Sequence, residues 1–226
     1  MENRATQLNP NNQQFHRSRG LESRPDSWNE QIEKNKIEGL LENRANTSAS
    51  KTNHKAIGRD VVRIEKVVKS VLGEHIKVYK GGSVKKHTNI EGSDLDLKID
   101  VVDPVTETQR NSLTLALQNE YGITNVEVKP KVHLIRGESG SIDLFPQKAD
   151  YFCQDAKVDK LGKDPFRTNP IGRNAVRILK MDILPNAPFP SIEIERAVLQ
   201  AQNMERGKGL LDLVVKARNI VFLNNC

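Results

Sequence analysis

The chain has 226 residues, of which 36% are hydrophobic and 28% are charged. This length suits one full domain with additional elements and is short for two large domains. The formal net charge of +6 is uneven, because residues 157–226 hold 12 Lys and Arg against 7 Asp and Glu. Such a basic segment indicates either a surface for phosphates, of nucleic acid or of nucleotides, or a solvated helical surface.

The sequence argues against a disulfide-stabilised or membrane-spanning protein. Cys153 and Cys226 are too few and too far apart for a disulfide framework or a metal cluster, so we interpret them as ordinary thiols. No apolar run approaches the roughly 20 residues of a membrane span, and the N-terminus lacks the apolar stretch of a signal peptide. We therefore expect a soluble chain with no membrane partner, although a larger precursor could still be exported.

Residues 1–54 are predicted to form a polar arm or linker. The stretch from Asn9 to Gln14 is rich in turn-forming residues, and the stretch from Asn46 to Asn53 is mostly Ser, Thr, Asn and Lys. A weakly helical stretch, Trp28 to Leu41, lies between them. This composition buries too little apolar area to offset the entropy of ordering the chain by itself.

Residues 55–150 have the pattern of a core with both helices and strands. Apolar residues at three- and four-residue spacing from Val61 to Leu72 predict an amphipathic helix, which Gly73 ends. A Gly-rich polar loop is predicted from Gly81 to Gly92, and a second helix from Val105 to Tyr121. Period-two alternation and flanking turn residues predict five strands, at Ile76–Tyr79, Asp94–Val102, Val126–Val128, Val132–Ile135 and Ser141–Phe145.

Residues 151–226 are predicted to be helical. One helix begins at Asn169-Pro170, where proline suits the first turn, and another is capped by Ser191. A last helix is predicted from Leu210 to Leu223. The predicted fold class is therefore α+β, with a small mixed β-sheet flanked by helices and a short C-terminal helical segment.

Two aspartates open the second predicted strand. Side chains two residues apart on a strand point to the same face, so Asp94 and Asp96 project together while Leu95 and Leu97 point to the core. Carboxylates that close repel each other, and a divalent cation such as Mg²⁺, which prefers oxygen ligands, removes the repulsion. An ordinary exposed strand face has the same pattern, so these two residues alone do not identify a site.

Two further features accompany the aspartates. Gly82-Ser83 directly follows a predicted strand; glycine lets the backbone approach a phosphate closely, and the Ser83 hydroxyl can bind phosphate oxygens. Asp143 is a single carboxylate in an apolar strand, where an unpaired charge is costly. It is either a third ligand brought beside the other two by strand pairing or an edge-strand residue that faces water.

The run from Gly82 to Leu97 resembles the signature of the DNA polymerase β-like nucleotidyltransferases. It is most similar to the branch of oligoadenylate synthetases, cyclic-dinucleotide synthases and archaeal-type CCA-adding enzymes. The motif of that branch contains, in chain order, Gly-Ser, then Lys-x-Thr, then a small residue followed by Ser, then Asp-x-Asp and Leu. The matching positions are Gly82-Ser83, Lys86-His87-Thr88, Gly92-Ser93, Asp94-Leu95-Asp96 and Leu97. Asp143 matches the third family carboxylate, and Lys180 matches the lysine that reaches the triphosphate in relatives.

The resemblance implies a fold with a nucleotidyltransferase core and a metal-dependent transfer of NMP from an NTP to a hydroxyl group. It assigns Asp94, Asp96 and Asp143 as catalytic and metal-binding residues for two Mg²⁺ ions, with Mn²⁺ as an alternative metal. The nucleotide-binding residues that it implies are Gly82, Ser83, Lys86, Thr88, Ser93 and Lys180. Helical one-turn spacing adds Arg177 on the same side as Lys180.

The acceptor and the biological role stay open at this stage. The basic C-terminal third favours RNA, including a tRNA end, whereas the low aromatic content of 4% argues against a single-strand stacking platform. If the acceptor is a nucleotide, the chain is an oligonucleotide or cyclic-dinucleotide synthase. If the acceptor is a protein, it is a nucleotidylating enzyme. A chain that has lost its activity would act as a binding module. Residues 8–28 also resemble junctions ahead of toxin domains in secreted bacterial polymorphic toxins, which implies cytoplasmic action and a cognate immunity protein.

Overall fold

The computed structural model describes residues 28–101, 103–146, 165–166, 168–185, 190–204 and 209–223. The chain forms two compact units, Met1–Leu40 and Leu41–Cys226. The sheet and both hydrophobic cores belong to the second unit. The two cysteines, and the toxin-like junction up to residue 27, lie outside the described residues.

The first helix, α1, spans Trp28–Ser50 and is longer than the predicted helical stretch. The side chain of Ala45 is fully buried within the core of the C-terminal helices. Near the end of α1, the Ser48 hydroxyl accepts a hydrogen bond of 3.1 Å from the backbone N–H of Glu91. Tertiary contacts therefore extend the helix through residues whose own helix propensity is modest.

Five strands form one mixed sheet in the order β1-β2-β5-β4-β3. Strands β1 and β2 are antiparallel, β2 and β5 are parallel, and β3, β4 and β5 form an antiparallel meander. All five predicted strands are present, with bounds Lys77–Lys80, Leu95–Asp100, Val126–Lys129, Val132–Gly137 and Gly140–Phe145 for β1 to β5. Strand β2 begins at Leu95, so Asp94 lies immediately before it.

Six further helices complete the described part of the chain. They are α2 (His54–Leu72), α3 (Gly82–Lys85), α4 (Glu107–Tyr121), α5 (Pro170–Ile183), α6 (Ser191–Met204) and α7 (Leu210–Leu223), with a 3₁₀ turn at Ile123–Asn125 before β3. The predicted α+β class is confirmed. None of the described helices has the length and apolar composition needed to cross a bilayer.

Local signals account for the helix ends. Gly73 ends α2, and its N–H bonds to the Lys69 carbonyl. Asn169 caps α5, whose first residue is Pro170, as predicted. The predicted loop from Gly81 to Gly92 differs, because it begins with the helical turn α3.

Two hydrophobic cores position the site. One lies between the sheet and helices α2 and α4, and Leu95, Leu97 and Ile99 of β2 point into it with at most 2% exposure. The other lies among α5, α6 and α7. The alternation along β2 leaves Asp96 and Lys98 on the opposite face of the sheet, where both are partly exposed among the described residues; we call this the open face.

Candidate active site

Strand pairing brings two of the predicted carboxylates together. In the parallel pair of β2 and β5, Asp96 lies directly opposite Asp143, one residue along from the buried pair Leu97 and Leu144. Burial raises the pKa of Asp143, the charge of Asp94 raises it further, and Lys129 partly offsets both effects. The three carboxylates therefore form one electrostatic cluster on the open face of the sheet.

Two consecutive glycines place the backbone of the turn between β1 and β2, residues 81–93, against Asp96. Gly82 has φ +53°, and a Cβ atom at this residue would lie 1.6 Å from the Asp96 Oδ2 atom. The Gly81 N–H donates a 2.8 Å hydrogen bond to the Asp96 carbonyl. Since any side chain at Gly82 would occupy the space of the carboxylate, glycine is required here.

A pocket of about 460 Å³ opens beside this turn. Its walls come from the turn, from the segment before β2, from the end of α5 and from the start of α6. The pocket is lined by seven of the residues that the sequence assigns to the site: Gly82, Ser83, Lys86, Ser93, Asp94, Asp96 and Lys180. Thr88, Asp143 and Arg177 are not among its lining residues.

A buried network around Glu195 forms the floor of the pocket. Its carboxylate contacts the Nζ atoms of Lys86 at 2.7 Å and Lys180 at 3.3 Å, and it accepts a 2.8 Å hydrogen bond from Thr88 Oγ1. All four residues are at most 3% exposed. Lys180 Nζ also donates to the carbonyl and the hydroxyl of Thr88. The network thereby joins helices α5 and α6 to the turn.

Burial and neighbouring charges shift the pKa values of Glu195 and Lys180 in this network. Burial alone would raise the pKa of Glu195, but the neighbouring Lys180 and Lys86 lower it, so the carboxylate stays ionised. Burial lowers the pKa of Lys180, although Glu195 opposes that shift. When both lysines are protonated, two ammonium groups and one carboxylate give the pocket floor a formal charge of +1, which favours an anionic ligand.

Glu195 was not recognised from the sequence. It lies three and four residues before Val198 and Leu199 on an otherwise apolar helix face, and this spacing predicts burial. A carboxylate in such a position needs a cationic partner. That signal was available, but the partner residues lie far away in the sequence and only the fold reveals them.

Arg177 supports the turn from outside the pocket. Its Nη2 donates a 2.8 Å hydrogen bond to the carbonyl of His87, and its Nη1 donates to Asn174 Oδ1 at 3.2 Å. His87 has φ +57°, a conformation that is uncommon for a residue with a side chain. Burial and the nearby Arg173 lower the pKa of Arg177. Arg177 therefore holds the strained residue of the turn in place.

The rest of the turn is also anchored. Ser93 Oγ accepts a 3.0 Å hydrogen bond from the Ile90 N–H. Asn89 Nδ2 donates to Thr52 Oγ1 at 2.6 Å, and Lys51 forms an exposed ion pair with Glu91. With contacts to α1, α5 and α6, the segment before β2 is held on several sides, which pre-organises the pocket.

The donor chemistry of the site fits a hard divalent cation. Burial, and to a smaller extent the charge of Asp94, raise the pKa of Asp143, and a nearby cation would favour the ionised carboxylate. Within the residues that the structure describes, no three Asp, Glu, His or Cys side chains are grouped closely enough to hold one ion together. Mg²⁺ typically takes one or two carboxylates and completes its shell with substrate phosphates and water. Asp94 and Asp96 in the pocket match that ligand set.

Comparison with known proteins identifies the fold. No family model and no curated protein matches the sequence. Among solved structures, the polymerase core of TRAMP, an RNA surveillance complex, has a TM-score of 0.62 at 15% identity, over 81% of this chain and 64% of that chain. Cid1, studied for its RNA terminal uridylyl transferase activity, has a TM-score of 0.56 at 13% identity, over 73% and 54%.

A third structure, terminal uridylyl transferase 4 from Trypanosoma brucei with bound GTP, has a TM-score of 0.52 at 16% identity, over 73% of this chain and 56% of that chain. The chain thus covers between about half and two thirds of the length of these three structures. At these identities the likeness establishes the fold. It is the fold of the DNA polymerase β-like nucleotidyltransferases, as the run from Gly82 to Leu97 predicted.

Proposed function

We propose that this chain transfers NMP from an NTP to a hydroxyl acceptor, and that the acceptor is the 3′ end of an RNA. One observation carries the proposal. The carboxylates of Asp94 and Asp96 share a pocket with the Gly82-Ser83 turn and with the positively charged floor formed by Lys86, Lys180 and Glu195. A pocket that combines metal-binding carboxylates with phosphate-binding groups suits a metal-bound triphosphate.

The triphosphate would lie between the turn and the pocket floor. Ser83 lines the pocket and can donate its hydroxyl to a phosphate oxygen. Lys86 and Lys180 supply the excess positive charge. Because both lysines are held by Glu195, their role is to create a fixed positive potential. Such a preorganised charge stabilises the negative charge that develops on the departing pyrophosphate.

The carboxylates would act at the α-phosphate. The acceptor oxygen attacks the α-phosphorus, the bond from that phosphorus to the bridging oxygen breaks, and pyrophosphate leaves. Divalent cations at Asp94 and Asp96 would acidify the acceptor hydroxyl and neutralise charge on the leaving group. Asp143, opposite Asp96 and outside the pocket lining, would act on the acceptor side, where its carboxylate would hold the hydroxyl and receive its proton.

Two observations support RNA as the acceptor. The basic excess of residues 157–226 favours a polyanion. Two structures with this fold, the TRAMP polymerase core and Cid1, are described in terms of RNA. A nucleotide acceptor or a protein acceptor would use the same pocket and the same carboxylates.

The proposal is tested by supplying Mg²⁺ and each α-labelled NTP in turn, with and without total RNA. Label in RNA is the expected result. Label in small products would identify an oligonucleotide or cyclic-dinucleotide synthase, and label on protein a nucleotidylating enzyme. If no NTP gives transfer to RNA, nucleotide or protein, the proposed function is wrong.

Matched variants of β2 test the site. The change Asp94→Asn together with Asp96→Asn should abolish transfer, because it removes both pocket carboxylates. Asp100→Asn is the control, since Asp100 is an exposed carboxylate four residues beyond Asp96 on the same face of the strand. An active double variant would contradict the site assignment.

A toxin role is a finer part of the same proposal. It is supported by the resemblance of residues 8–28 to junctions ahead of toxin domains in secreted proteins. Expression in bacteria should then arrest growth, and Asp94→Asn with Asp96→Asn should relieve the arrest. A cognate immunity protein is the partner that this role implies. Unimpaired growth of cells that contain the active protein would contradict the role.

A further inference from the structure

Five side chains on the open face of the sheet form a row across all five strands. Tyr79 of β1 pairs with Lys98 of β2, and Lys98 pairs with Phe145 of β5. His133 of β4 pairs with Leu144 of β5, and the next position along this antiparallel pair sets Val132 beside Phe145. Val132 in turn pairs with Lys129 of β3. We call Tyr79, Lys98, Phe145, Val132 and Lys129 the acceptor row.

The acceptor row lies directly beside the carboxylate pair. Lys98 and Phe145 are each two residues beyond Asp96 and Asp143 on the same strands, so the separation is about 7 Å along the sheet. Lys129 also acts on the charge of Asp143, whose pKa it lowers. The row and the carboxylates therefore belong to one continuous surface.

The row and the nucleotide pocket lie on opposite sides of Asp96. The pocket is built by residues on the N-terminal side of β2, such as Ser93 and Asp94, and no member of the row lines it. In-line displacement needs the attacking oxygen and the leaving oxygen on opposite sides of the phosphorus. A chain that presents its terminal hydroxyl to Asp143 would thus run over the row and away from the pocket.

The chemistry of the row suits a single-stranded nucleic acid. It combines two aromatic rings with two ammonium groups, one of which, that of Lys129, lies 3.8 Å from the exposed carboxylate of Glu127. Tyr79 is 48% exposed, and Lys129 is also exposed. Bases stack on aromatic rings whatever their sequence, while lysines contact the phosphates between them. The chain has only three Tyr and six Phe, and this row contains one of each.

We infer that the acceptor row binds the single-stranded 3′ segment of an RNA and leads its terminal hydroxyl to Asp143. This inference rests on the proposed function for its catalytic meaning, but RNA binding to the row can be measured without any transfer. The low aromatic content that argued against a stacking platform is a property of the whole chain and does not describe this surface.

The test measures the affinity of the full chain for a short single-stranded RNA with a fluorescent label at its 5′ end. Fluorescence anisotropy reports the binding, and no nucleotide is present. Tyr79→Ala should weaken binding by about tenfold, because a stacked base loses its platform. Lys129→Ala should also weaken binding, and it should reduce the slope of log K against log salt by about 0.7, the loss of one phosphate contact. Both residues are exposed, so the fold should survive, and a thermal melt checks this.

Two controls match these variants. Val128→Ala changes a residue next to Lys129 whose side chain points to the other face of β3. Lys66→Ala removes an exposed lysine of α2, and this helix packs against the opposite face of the sheet. Neither should change RNA binding. In the transfer assay, Tyr79→Ala should raise the KM for RNA and leave the KM for NTP unchanged.

The possible outcomes are distinct. RNA binding that is insensitive to Tyr79→Ala and Lys129→Ala would overturn the inference. A chain that does not bind RNA but transfers NMP to a nucleotide or protein would overturn it as well, while the proposed transferase activity stands. A chain that binds RNA through the row but transfers nothing would confirm the binding surface and reject the proposed function.

Discussion

The carboxylate of Asp96 lies in the space that a side chain at Gly82 would fill. The two residues are 14 positions apart in the sequence, yet a Cβ atom at Gly82 would be 1.6 Å from Asp96 Oδ2. The turn that would bind phosphate and the carboxylate that would bind metal are therefore in direct contact. Substitutions on one side of this contact should affect the chemistry of the other.

Gly82→Ala should lower transfer by about 100-fold. The added methyl group must push the Asp96 carboxylate aside, and the φ of +53° strains any residue other than glycine. A displacement of about 1 Å at a reacting centre lowers kcat/KM by about 100-fold. Gly140→Ala is the control, because its φ is +109° but nothing lies within 4 Å of the added atom. Full activity of Gly82→Ala would argue against a role for Asp96 in catalysis.

Asp143→Asn should separate catalysis from nucleotide binding. Asp94 lines the pocket and Asp143 does not, so Asp143→Asn should leave the affinity for an NTP analogue with Mg²⁺ unchanged. Its turnover should fall by about 100-fold or more, because the acceptor hydroxyl loses its partner. Asp94→Asn should weaken analogue binding itself. Titration calorimetry and single-turnover assays measure the two effects, and equal losses of affinity in both variants would contradict the acceptor-side placement.

Glu195→Gln should destabilise the fold. The change keeps the shape of the side chain but leaves the buried ammonium groups of Lys86 and Lys180 without their carboxylate. Removing one partner of a buried ion pair costs about 3–5 kcal/mol of unfolding free energy, which urea denaturation can measure. Arg196→Gln changes the next, exposed residue of α6 and should have little effect. Similar stability of the two variants would show that the network adds nothing to the fold.

His133 should make stability depend on pH. Its side chain is fully buried, with Nε2 2.9 Å from Thr114 Oγ1. Burial, with a smaller effect of Arg110, lowers its pKa to about 4. The unfolded chain binds a proton near pH 6.5, whereas the folded chain resists protonation until about pH 4. The stabilising contribution of the neutral ring is therefore present above pH 6.5 and is lost as the pH falls towards 4.

Acidification from about pH 7 to about pH 5 should thus lower the unfolding free energy by roughly 2 kcal/mol through this residue. His133→Gln removes the titrating ring and should flatten this part of the profile. His75→Gln, at an exposed histidine, should leave it unchanged. Denaturation curves across this pH range measure the effect. A His133→Gln profile as steep as that of the unchanged protein would assign the pH dependence to other groups.

Much of the fold was predictable because its signals are local. Alternation along β2 and the three- and four-residue spacing in α2 depend only on neighbouring residues, and both elements are present. The prediction was wrong where distant contacts decide the outcome. Helix α1 continues to Ser50 because Ala45 and Ser48 meet partners far along the chain. The loop prediction missed α3 for a local reason, since the N–H groups of Lys85 and Lys86 donate to the carbonyls of Gly81 and Gly82 and form this helical turn.

The sequence by itself determined the elements whose geometry is local: the Gly82-Ser83 turn, the paired spacing of Asp94 and Asp96, and the strand that carries Asp143. Only the tertiary structure decided how these elements meet. The register of β2 against β5 sets Asp96 opposite Asp143, and the packing of α6 brings Glu195 to Lys86, 109 residues away. Such partners follow from the burial of two cores and from the need to neutralise buried charge, and no short stretch of sequence contains that information.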